Sequence, residues 1–117
     1  MFSYMKTRSV PRQQKPYPKL EEVAKTQPVF EWKNTRGSIV GFRCPGYIQG
    51  INVPGYHLHY LAKDRKGGGH ILEFEIEEGE LQIDTISNFY LILPTNSEFY
   101  KTDLSKNLTE ILKQVEK

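Results

Sequence analysis

All three histidines of this 117-residue chain fall between positions 57 and 70, as His57, His59 and His70. In an extended strand, residues two apart point to the same face, so His57 and His59 in Gly-Tyr-His-Leu-His-Tyr present two imidazoles side by side. The glycine run Gly67-Gly68-Gly69 then turns the chain and delivers His70 onto a returning strand. A hairpin centred near Asp64 and Arg65 sets His70 roughly opposite His59, and three ring nitrogens converge from two adjacent strands. Such a set suits a divalent ion, Zn²⁺ above all, at ~2.0–2.1 Å per bond. Three histidines with an open fourth position are the pattern of a catalytic zinc rather than a structural one.

A lone histidine is more often a packed or solvated residue, so the spacing of the three carries the argument. Two alternatives use the same residues. Cys44 as a fourth ligand makes a closed structural site. A cupin-type site also uses a paired His-x-His, but it expects a glutamate about four residues further on, where Lys63 and Asp64 stand.

These residues need strands to hold them. Val29 to Trp32, Ser38 to Arg43, Tyr56 to Ala62, His70 to Ile76, Leu81 to Ile86 and Phe89 to Leu93 are short, rich in β-branched and aromatic residues, and separated by Gly, Pro, Asn or Asp,. That spacing favours an α+β chain built on a mainly antiparallel sheet or a small open barrel. Alternation from His70 to Glu78 predicts Leu72, Phe74 and Ile76 on one buried face with His70, and Glu73, Glu75 and Glu77 towards water. Three prolines between Pro11 and Pro18 predict an irregular path, and Leu20 to Lys25 a short helix ended by Pro28. At the C-terminus the period changes. Leu104, Leu108, Ile111, Leu112 and Val115 predict one amphipathic helix packed on the sheet, with Asp103 or Ser105 as its N-cap.

The length is that of one domain spanning residues 1–117. No apolar run approaches the ~20 residues of a membrane span, which argues against a membrane protein, and Met1 to Val10 lacks the apolar core of a secretory signal. A cytoplasmic location follows as the expectation, in keeping with the single Cys44. With a net charge of +2 and lysines scattered among acids, nucleic acid is not an expected partner. Lys6 to Lys19 is the only locally basic stretch, readable as a solvated arm. Arg43 is a candidate for substrate contact or for a surface ion pair.

Residues 50–60, Gly-Ile-Asn-Val-Pro-Gly-Tyr-His-Leu-His-Tyr, followed by Asp64-Arg65 and Gly68-Gly69-His70, resemble the alpha-acetolactate decarboxylase family. Thr7-Arg8-Ser9-Val10-Pro11-Arg12-Gln13 and Gly37-Ser38-Ile39-Val40-Gly41-Phe42-Arg43 do so too. The resemblance implies a zinc-dependent lyase that removes CO₂ from 2-acetolactate to give acetoin. It implies His57, His59 and His70 as the metal ligands, Arg8 as the active-site arginine, and a carboxylate near the C-terminus, matched here to Glu116.

That chemistry suits these residue types. A β-keto acid with a hydroxyl beside its ketone chelates one ion through two oxygens, and Zn²⁺ as a Lewis acid stabilises the enediolate left when CO₂ departs. A guanidinium holds a substrate oxygen or carboxylate in its planar fork. An acid such as Glu116 returns the proton. The family resemblance further implies chains about twice this length, with an N-terminal half that packs on the metal domain and supplies a further glutamate. This chain is therefore expected to correspond to the C-terminal half and to be incomplete as a catalyst. Its partners are expected to be the small-molecule substrate and either further copies of itself or a separate N-terminal half, and apolar surface is expected to lie exposed.

Overall fold

A computed structural model describes residues 1–105 and 109–116, apart from the side chains of Thr109 and Glu116. Five strands form one open sheet: β1 (Phe2–Arg8), β2 (Val29–Thr35), β3 (Gly37–Cys44), β4 (Gly55–Ala62) and β5 (Gly68–Ile76). Their order is β2-β1-β5-β4-β3, and every neighbouring pair is antiparallel. Three short helices, α1 (Leu20–Ala24), α2 (Ser97–Lys101) and α3 (Thr109–Glu116), complete an α+β architecture.

The strands at 29, 37, 55 and 68 form where β-branched and aromatic residues alternate. Strand β1 does not have that composition, yet it lies inside the sheet between β2 and β5. The basic stretch that reads as an arm begins in this strand. Met5 and Thr7 are fully buried while Lys6 and Arg8 turn to the opposite face, so the period-two signal was present but short and interrupted by charge.

One face carries the core. Phe2, Met5, Tyr60 and Ala62 are buried together, with Trp32, Ile39 and Ile71 packed against them. The aromatic rings meet edge-on, Phe2 with Tyr60 at 5.7 Å and Trp32 with Tyr60 at 5.6 Å between centroids, as their quadrupoles prefer,. The Tyr60 hydroxyl donates to the Arg36 carbonyl at 3.0 Å and accepts from the Thr35 hydroxyl at 2.6 Å, so the phenol is satisfied at the sheet rim,.

The expected alternation of β5 breaks at Leu72. Thr7 pairs with Ile71 but Lys6 pairs with Glu73, which leaves Leu72 as an extra residue on β5. A one-residue bulge reverses every side chain beyond it. Ile71 and Phe74 therefore share the core face of Thr7 and Met5, and Phe74 meets Phe2 edge-on at 6.0 Å. His70, paired with Arg8, points the other way. Leu72, Phe74 and Ile76 are exposed rather than buried.

One further expectation fails. Leu81–Ile86 and Phe89–Leu93 belong to no strand or sheet among the described residues. The expected C-terminal helix is present as α3, and a separate short helix, α2, precedes it. Asn96 caps α2 by accepting from the Phe99 amide at 2.8 Å,. Asp103 instead accepts from the Ser105 amide at 2.9 Å, a local turn that competes with helix,. Exposed Leu104 precedes α3, whose Ile111, Leu112 and Val115 are half-buried. Leu108 lies outside the described residues.

Gly69 sits at φ +146°, and a Cβ there would lie 2.7 Å from the Arg8 carbonyl oxygen. Neighbouring strands approach too closely for any side chain. Gly69→Ala is expected to cost about 2 kcal/mol, a drop of about 10 °C in thermal midpoint by circular dichroism. An unchanged midpoint would contradict this account of the hairpin.

Candidate metal centre

The β4–β5 hairpin builds the site. Arg65, at φ 61°, makes the turn, the Arg65 amide donates to the Ala62 carbonyl at 2.8 Å, and the Ala62 amide donates to the Gly67 carbonyl at 2.9 Å. With that turn the ladder pairs His59 with His70, Tyr60 with Gly69 and Leu61 with Gly68. Residues paired across an antiparallel ladder share a face. His57, two residues before His59, joins them.

The three rings converge. Their centroids stand 5.0 Å apart for His57 and His59, 5.0 Å for His57 and His70, and 5.5 Å for His59 and His70. One nitrogen from each lies within 4.8 Å of the other two, and this is the only such group of potential ligands among the described residues. The Nε2 atoms of His57 and His59 face each other at 2.9 Å. Either one ring donates its proton to the other, or both lone pairs turn to a shared cation.

The donor set fits a metal. Three nitrogens bound tetrahedrally to one ion at ~2.0–2.1 Å stand about 3.4 Å apart, within the envelope these rings already occupy. A ligand imidazole must be neutral. Burial first, then the Arg8 guanidinium and the other two histidines, lower the pKa of His70 from 6.5 to about 4. The ring is therefore a neutral donor at physiological pH.

The sign of this shift makes a prediction. Unfolded, His70 takes up a proton near pH 6.5; folded, only near pH 4, so between these values the unfolded chain binds more protons,. The contribution to stability is full above pH 6.5 and is lost as pH falls towards 4. In urea titrations of chelator-treated protein, His70→Gln is expected to flatten the loss of stability between pH 6.5 and 4 relative to the parent. Equal slopes would exclude His70 as its source.

The surroundings are asymmetric. On the histidine face, Val40, Gly41, Phe42, Cys44, Asn52 and Val53 line an open groove of about 400 Å³ against His57 and His59. Val40 pairs with His59 and Phe42 with His57, so β3 supplies an apolar wall. Sequence reasoning had not singled out Val40, Phe42 or Val53; the signal available was their alternation with the paired strand. Cys44 lines this groove half-buried and is not a member of the nitrogen cluster. Arg43 lies over the Tyr56 ring at 5.7 Å. The pair Arg43–Tyr56 falls on the opposite face from His57, away from the cluster.

Arg8 stands beside His70 in the β1–β5 ladder. Its Nη1 donates to the Gln114 carbonyl at 3.1 Å and its Nη2 to the Val115 carbonyl at 3.0 Å. A guanidinium is a good cap for the orphan carbonyls and negative dipole end of a helix. Arg8 thereby ties the last turn of α3 to the histidine strand. Glu116, the matched carboxylate, follows Val115 directly, and its side chain lies outside the described residues.

The alpha-acetolactate decarboxylase family model matches residues 1–106. The chain belongs to the alpha-acetolactate decarboxylase family. It is 50% identical over 116 residues to the alpha-acetolactate decarboxylase of Methanosarcina mazei and 44% identical over 115 residues to that of Methylococcus capsulatus. These alignments cover 99% and 98% of this chain but 40% and 44% of the relatives. The crystal structure of alpha-acetolactate decarboxylase from Bacillus subtilis strain 168 superposes with a TM-score of 0.91 at 38% identity, over 98% of this chain and 50% of that one. The chain thus spans half or less of the length of the family members it matches.

No helix among the described residues is long and apolar enough to cross a membrane.

Proposed function

We propose that this chain is the zinc-bearing half of an acetolactate decarboxylase, a carbon–carbon lyase of the cytoplasm that releases CO₂ from 2-acetolactate to form acetoin. The convergence of His57, His59 and His70 beside Arg8 carries the reading, supported by the family membership.

His57, His59 and His70 would hold the ion, which when bound supplies Lewis acidity to the substrate's oxygens. The rest falls to the protein. The groove walled by Val40, Phe42 and Val53 receives the small methyl-bearing acid on an apolar surface and excludes water from one side,. Arg8 places a fixed positive charge beside His70, where it attracts and orients a carboxylate or oxygen,. Loss of CO₂ leaves an electron pair that becomes an enediolate, and a proton must return to carbon. Glu116 is assigned that transfer, since the Arg8 bonds hold the turn that precedes it against the site,. The sequence 1–117 acts in this reading as one domain, and its groove is open to solvent, so turnover is expected to depend on further protein surface that closes it.

The test is acetoin release from 2-acetolactate with Zn²⁺, using this chain alone and combined with the part of the M. mazei relative that lies outside the matched region. Acetoin from the mixture alone is the expected result. A zinc-loaded mixture that forms a complex without turnover would instead favour a metal-binding module that has lost catalysis.

A further inference from the structure

The histidine face of β3 and β4 is built in rungs. Val40 stands opposite His59, Phe42 opposite His57 and Cys44 opposite Gly55, and residues two apart on a strand share a face at about 6.8 Å spacing. The third rung therefore lacks one of its two side chains. Gly55 lies at φ 83°, a conformation that a residue with a Cβ adopts only under strain, so the backbone itself keeps this position empty. The result is a recess one rung beyond His57.

The connector from β3 to β4 closes the far end of that recess. The Ile51 and Asn52 amides donate to the Ile48 carbonyl, each at 3.1 Å, and the Asn52 side-chain oxygen accepts from the Val53 amide at 2.8 Å. This tight path sets Asn52 and buried Val53 against the groove. The Asn52 oxygen is spent on the backbone, and Phe42, Val53 and half-buried Cys44 supply an apolar lining. No Asp, Glu, Lys or Arg lines the groove among the described residues.

We propose that the recess beside Gly55 is a substituent subsite, which takes an unbranched alkyl group on carbon 2 of a 2-hydroxy acid held at His57, His59 and His70, with the small side chain of Cys44 setting how long that group can be. Three observations select this occupant. The recess continues the groove that His57 and His59 line, so a molecule anchored by the histidines reaches it through its own substituent. Its lining would strip water from a second carboxylate or an ammonium and return no partner, a cost that an alkyl group does not bear. The groove holds about 400 Å³, within the ~300–1,000 Å³ of sites that bury drug-sized ligands. An acid with only methyl groups on carbon 2 leaves the third rung unfilled.

The subsite deepens the reading under Proposed function, since it needs an acid held at the three histidines, and the two fail separately. The full chain is loaded with Co²⁺, an ion suited to imidazole nitrogens whose visible absorption reports its ligands. It is titrated with 2-hydroxy-2-methylpropanoate and with racemic 2-hydroxy-2-methylhexanoate, which share a hydroxyl and a carboxylate and differ by three methylenes. Each methylene taken from water contributes about fourfold in affinity, so the longer acid is expected to bind at least 10-fold tighter. Cys44→Leu, which fills the recess, is expected to bring the two affinities within twofold of each other, whereas Cys44→Ser keeps the space and should keep the ratio. Phe42→Ala removes one wall at a side chain that is 63% exposed, so it opens no core cavity, and should lower the ratio at least threefold. Cobalt should stay close to one equivalent in every variant, because neither residue belongs to the nitrogen cluster. Equal affinities in the parent, an unchanged ratio in both Cys44→Leu and Phe42→Ala, or a ratio lost in Cys44→Ser would each overturn the subsite and leave the metal site standing. A chain that binds no cobalt, or that binds cobalt and takes up neither acid, would overturn both readings.

Discussion

His59→Ala protein is expected to purify with less than about one-tenth of the zinc carried by its parent, which should hold close to one equivalent. His59 faces His57 at 2.9 Å and pairs with His70 across the ladder. Loss of a mere supporting contact around a metal ligand lowers affinity about 10–100-fold, so loss of one ligand of three should exceed that. The same variant separates binding from folding. Added zinc at 100 times its Kd should stabilise the parent by about 2.7 kcal/mol and leave His59→Ala unmoved. His59 is exposed on its strand, so its removal opens no core cavity and the metal-free proteins should melt together. Elemental analysis with thermal melts in chelator and in zinc reads both. Equal zinc in parent and variant would remove His59 from the ligand set.

The second large effect concerns Arg8. In the chain combined with the complementary half, Arg8→Ala is expected to lower kcat/KM for acetolactate by about 10²–10³, the loss that follows removal of one preorganised donor to a developing charge. Two roles meet in this side chain. Its guanidinium bonds the carbonyls of Gln114 and Val115 while its charge acts on His70. Arg8→Lys distinguishes them, because an ammonium keeps the charge and gives up the two-pronged fork. Part of the activity should return in Arg8→Lys, whereas amide protection of α3 should fall in both variants. Activity of Arg8→Ala within threefold of the parent would reduce the residue to a helix cap.

Much of the site was legible because its geometry is local. Period two puts His57 and His59 on one face, and a turn centred between Asp64 and Arg65 needs only counting to bring His70 opposite His59. The strands at 29, 37, 55 and 68, the irregular path after Pro11 and the short helix at Leu20 follow from residue types within a few positions. Where the reading went astray, the cause was distant. Strand β1 looked like part of a basic arm because Lys6 and Arg8 mask the alternation of Met5 and Thr7, and only β2 and β5 on either side make it a buried strand. Leu72 alternates faultlessly with its neighbours, yet a bulge against Lys6 and Thr7 reverses the face of Phe74. Residues 81–93 have the composition of strands but make no backbone hydrogen bond among the described residues.

The amino-acid sequence by itself determined which side chains could ligate a metal and that one hairpin would gather them, since side-chain alternation and turn conformation are properties of neighbouring residues. Tertiary structure alone decided that Arg8 lies beside His70 and grips the end of α3, that β3 walls the groove with Val40 and Phe42, and that residues 81–93 join no sheet among the described residues. Those contacts join residues from 15 to more than 100 positions apart, and pairing over such distances is set by the competition of whole strands for edges, which no local window contains.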